Sequence, residues 1–136
     1  MDTQEHGTRA ITIAIYVLLF VLGVLQGMIG SFQYSRSPAP LIAIVFDLVI
    51  FATCVLGGWA MRSFTGGLVP ALGWLLASFI LSMGNSAGSV IITASAAGEW
   101  YLYGGALAAT AGVGASFVRW AGSAGRPPAK RRPPSR

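Results

Sequence analysis

Asp47 is the one carboxylate set deep within a long apolar run, and no other residue in this sequence has a stronger reason to do chemistry. An ionisable group inside a membrane span costs about 2.5–3.5 kcal/mol at the helix centre, so its presence there is by default a functional-site hypothesis. Gln26, Asn85, Ser86 and Tyr101 reach a similar depth from other apolar segments, and Arg36 and Tyr103 could add donors to a carboxylate there. Together they predict a small polar cluster centred on Asp47 in the outer third of a bilayer. Two readings of it stand open. In one, Asp47 is hydrogen-bonded to Gln26 or a tyrosine, or carries a proton, and fixes helix register. In the other, it takes up a proton, a cation or the basic group of a partner subunit.

Other chemistry lacks its parts. His6 is the single histidine and Cys54 the single cysteine, whereas a zinc site needs three or four convergent ligands. No two carboxylates sit on adjacent helical turns, no histidine outside the N-terminal tail can serve as a base, and no glycine-rich phosphate loop joins a strand to a helix. The expectation is a protein without catalytic activity, cofactor or metal. Cys54 reads as a small buried residue with no partner in the chain.

The elements that position these residues follow from composition. Hydrophobic residues make up 54% and charged residues 10% of the 136, against roughly 25% charged in soluble proteins. Crossing a bilayer core takes about 20 apolar helical residues. Four stretches qualify, about 10–30, 40–61, 68–84 and 100–120, so the fold class is all-α: a polytopic four-helix transmembrane bundle over residues 10–121. Residues 1–9 read as a solvated N-terminal tail and 122–136 as a disordered basic C-terminal tail. The first span exceeds the 7–15 apolar residues of a signal peptide and is not followed by a convincing cleavage site. The two helix pairs show no internal repeat of the kind found in transporters.

Orientation follows from the basic residues, which are retained on the cytoplasmic side. With both termini in the cytoplasm, Arg9, Arg62, Arg119, Arg126, Lys130, Arg131, Arg132 and Arg136 lie inside and Arg36 alone lies outside. Phe32, Tyr34, Trp100, Tyr101 and Tyr103 would then mark the outer interface, and Trp59 and Trp120 the inner one. This predicts a multi-pass protein of the plasma membrane. The tail residues Arg126, Lys130, Arg131, Arg132 and Arg136 come without an acid, and anionic lipid headgroups are their natural neighbours. Nucleic acid is not expected as a partner, because no aromatic residues accompany these charges.

Helices in lipid associate through close packing of small residues. Gly23 and Gly27 form one such pair, and Gly105, Ala109 and Gly112 line another ridge. They serve either packing within the chain or an interface with a membrane-protein partner or a second copy. Pro70, near the start of the third span, is expected in its first turn, where a missing N–H costs least.

The segment GGLVPALGWLLASFILS at Gly66 to Ser82, with YLYGGALAA at Tyr101 to Ala109, resembles a family of small four-helix membrane proteins of uncharacterised function from actinobacteria. The resemblance covers mainly residues 66–109. It implies an inner-membrane protein with cytoplasmic termini and supplies no catalytic residues. The loop after the third span is charged in that family and reads MGNSAGS here. Small multidrug exporters are similar in size but use an acid in the first span, which this chain lacks. The arginine-containing glycine motif of fluoride channels is also missing. An accessory or assembly subunit of a membrane complex is the first functional expectation, and a small homodimeric transporter or channel using Asp47 is the second.

Overall fold

The structure is a computed structural model that describes residues 2–33, 38, 41–83, 92 and 95–125. Its helices are α1 (Asp2–Gln33), α2 (Leu41–Met61), α3 (Phe64–Ser82), the single turn α4 (Ala96–Glu99) and α5 (Gly105–Ala124). A π-helical turn, Trp100–Gly104, joins α4 to α5. Among the described residues, four helical segments are long and apolar enough to cross a membrane: His6–Gln33, Leu41–Met61, Phe64–Ser82 and Ala96–Gly122. Helix is the form these sequences must take in lipid, since it satisfies every backbone polar group within the segment. The chain is a multi-pass membrane protein.

Which residues are buried fits lipid as the outer solvent. Large side chains point outward, with Leu18 68%, Val118 69% and Leu107 75% exposed. The interior holds small residues such as Ala43, Cys54, Ala71 and Ala109, two large aromatics, Trp74 and Tyr101, and the polar Ser31, Asp47, Thr53, Ser78 and Ser116. In water those outer residues would form the core.

Close contacts set the register. Gly23 lies against the Pro70 carbonyl and Gly27 against Trp74 and Ala77, so α1 and α3 run parallel. Gly58 meets Ser116, Gly112 meets Cys54, and Gly104 and Gly105 meet Asp47, so α2 and α5 also run parallel. Gly57 and Gly66 touch through their backbones across the antiparallel α2 and α3. The central pair α2 and α3 packs against each other, with α1 held mainly by α3 and α5 mainly by α2.

The turn between α2 and α3 explains where the first stops and the second starts. The Arg62 N–H donates to the Trp59 carbonyl and the Ser63 N–H to the Gly58 carbonyl, both at 3.2 Å, which is the Schellman arrangement. Arg62 sits at the left-handed position of that motif with φ 47°. Glycine is usual there, and an L-residue costs about 1–2 kcal/mol. Ser63 then caps α3, its Oγ accepting from the Gly66 N–H at 3.2 Å. The same Oγ is hydrogen-bonded to the Tyr16 hydroxyl of α1 at 3.0 Å.

Two boundaries differ from those expected. Residues 2–9 are helical, continuing α1 outward from the first span. Because Ser63 caps it, α3 starts at Phe64, and Pro70 is therefore inside the helix and not in its first turn. Pro70 brings no N–H to the Gly66 carbonyl, and Gly57 lies against that oxygen.

Candidate functional site

Asp47 projects from α2 toward the π turn and the start of α5, and only 7% of it is exposed. Two glycines make room for its carboxyl group. A Cβ on Gly104 would collide with Asp47 Oδ2, and one on Gly105 would strike the Trp74 ring and come within 3.1 Å of Asp47 Oδ1. Among the described residues, Oδ1 has no hydrogen-bond partner. A buried polar atom left in that state is uncommon in folded proteins and asks for a reason.

Tyr101, fully buried in the π turn, forms the second part of the site. Its ring packs on Trp74 with centroids 5.7 Å apart and planes tilted by 59°. Its hydroxyl donates to the Gly27 carbonyl of α1 at 3.0 Å. Ser31 Oγ donates to the same carbonyl at 2.6 Å. Gly30 lies flat against the phenol, since a Cβ there would come within 2.5 Å of the Tyr101 hydroxyl. Turns of π geometry recur at functional sites, and this one carries both Tyr101 and Gly104.

Gln26 goes elsewhere. Its Nε2 donates to Thr53 Oγ1 at 2.7 Å, and Thr53 Oγ1 donates to the Val49 carbonyl at 2.8 Å. Thr53 lies six residues beyond Asp47 on α2, about 9 Å along the axis and about 120° around it. Gln26 and Thr53 thus form a separate polar pair between α1 and α2, in which Gln26 Oε1 is buried without a partner among the described residues. Of the expected cluster, Asp47 and Tyr101 come together at the π turn. Asn85 and Ser86 lie outside the described residues, as do Tyr34, Arg36, Arg126, Lys130, Arg131, Arg132 and Arg136.

Trp74 and Gly104 belong to the site and escaped the sequence reading, and Gly105, expected as part of a packing ridge, also borders the Asp47 carboxyl group. The signal for Trp74 was its place in the middle of a span, since tryptophan in membrane helices favours the interfaces. The small-residue ridges are occupied within the chain. Gly23 and Gly27 seat α3, Gly105 seats Trp74, and a Cβ on Gly112 would come within 2.8 Å of Cys54 Cβ. Ala109 is 2% exposed in the core.

A family described as "Family of unknown function (DUF6113)" matches residues 2–129. No curated protein and no solved structure matches the chain.

Proposed function

The chain belongs to that family of unknown function, and from this premise we propose a non-enzymatic protein of the cytoplasmic membrane that acts by lateral contact, as an accessory or assembly subunit. The observation that carries this reading is the one-sided packing of α1. No residue from His6 to Leu22 is buried. Ile11, Ile13, Val17 and Leu18 are each more than half exposed. Half of a membrane-spanning helix is thus available to another membrane helix. With the glycine ridges occupied inside the bundle, the contact would use these aliphatic faces.

Orientation in this reading follows the arginines. Arg9 near the start of α1, Arg62 at the end of α2 and Arg119 near the end of α5 stand at one end, which we assign to the cytoplasm with both termini. Eight arginines against one lysine, with abundant alanine and glycine, suit a GC-rich actinobacterial genome.

One observation favours the second reading, a homodimeric transporter or channel: the unpartnered Asp47 Oδ1. Native expression of the tagged chain, mild-detergent purification and intact-particle mass spectrometry separate the two. A stoichiometric larger membrane partner is the expected result. A particle of two copies alone would favour the transporter, and Asp47→Asn should then abolish its flux. A solitary monomer would sink both.

A further inference from the structure

At the end of the bundle opposite Asp47, a surface pocket of about 510 Å³ lies between the end of α2 and the last turns of α5. Its lining includes Trp59 and Arg62 from the first element and Ser116, Arg119 and Trp120 from the second. The geometry points to a binding site for the phosphate of an acidic phospholipid headgroup, held by Arg62 and Arg119.

Several independent features converge on this ligand. Two arginines, one just after α2 and one on α5, line one pocket, and two like charges on one pocket favour an anionic ligand there. Guanidinium binds phosphate oxygens in a planar two-point fashion that ammonium cannot match. The floor cannot do that work, because Ser116 Oγ is already directed at the Cys54 and Gly112 carbonyls, at 3.1 and 3.0 Å. Gly58 lets the floor close, since a Cβ there would collide with the Ser116 side chain. Arg62 also keeps its left-handed backbone, φ 47°, at a position that glycine would fill without strain. A strained residue at a pocket rim is a pointer to function.

The surroundings favour a lipid over a soluble anion. Trp59 and Trp120 flank the arginines and are 63% and 46% exposed. The Trp120 ring lies 6.0 Å from Phe117, which meets Phe64 edge-on at 5.9 Å. This aromatic row marks headgroup depth at that end. The volume is in the range of small-ligand pockets, about 300–1,000 Å³, and suits a phosphate with its attached glycerol. Residues 126–136, which follow directly, carry five further basic residues and no acid. Their charge disfavours the chain's own tail as the occupant.

The test uses the full-length protein in mixed micelles doped with either phosphatidylglycerol or phosphatidylcholine, with bound lipid counted by native mass spectrometry. Sodium glycerol 3-phosphate provides the soluble arm. One phosphatidylglycerol per chain should be retained, at least tenfold above phosphatidylcholine. Millimolar glycerol 3-phosphate should not displace it. Arg62→Gly fits the left-handed backbone, so the variant folds, and it should cut retention about tenfold, as should Arg119→Gln. A variant with all five basic residues of 126–136 changed to glutamine should retain lipid like the parent. Loss of lipid in that tail variant alone, equal retention of the two lipids, or binding of glycerol 3-phosphate without lipid preference would each overturn the assignment.

Discussion

Gly30 shows how much one missing side chain fixes at the end of the bundle where α1 finishes. Its missing Cβ is what lets the Tyr101 phenol lie flat and reach the Gly27 carbonyl. Gly30→Ala is expected to destabilise the fold by about 1–3 kcal/mol through overpacking, read from unfolding in detergent. Tyr101→Phe removes the hydroxyl that the new methyl would strike, at a cost of about 0.6 kcal/mol for a membrane hydrogen bond. The ring carbons Cε2 and Cζ would still lie 2.7 and 2.9 Å from the new methyl, so Gly30→Ala should remain costly in the Tyr101→Phe background, and full relief there would contradict the geometry. Residue by residue, the sequence was legible where lipid makes polarity expensive. Asp47 stood out for that reason. Gln26 was harder, because its partner depends on which face of α2 turns toward α1, and a span of nearly uniform hydrophobicity hides its faces. Arg62 was read as a charge, and its backbone conformation left no trace in composition.

Between α2 and α3, two residues do the work of a loop, and Ser63 serves two helices at once. Its Oγ caps α3 and holds Tyr16 of α1. Ser63→Ala should cost about 1–2 kcal/mol as a lost cap, and Tyr16→Phe less. The double variant should fall short of their sum, since both changes remove the same contact, and a double-mutant cycle in detergent checks this. Most elements followed from length and charge alone: the four spans were visible because each must be about 20 residues and nearly uncharged. The start of α3 was not. Its capping serine precedes two glycines and lacks the glutamate three positions on that makes such a start conspicuous, so the proline beyond drew attention instead.

At the scale of the whole molecule, orientation is open to a direct measurement. Cys54 is buried and should not react with a membrane-impermeant maleimide, and Cys54→Ala removes it altogether. In that background Pro38→Cys should be labelled on intact spheroplasts, whereas His6→Cys and Gly125→Cys should be labelled only after permeabilisation. The opposite pattern would invert the topology. The Tyr101 hydroxyl and the Gly27 carbonyl are separated by 74 positions in the chain. During synthesis α1 enters the bilayer long before the residue that fastens its C-terminal end has been made. Until then Gly27 has only Ser31 and α3 for company, and that half of α1 is held by α3 and by the Gln26–Thr53 hydrogen bond to α2. The latch therefore closes last: until the fourth crossing is made, the first helix lacks the one hydrogen bond that Tyr101 brings to it.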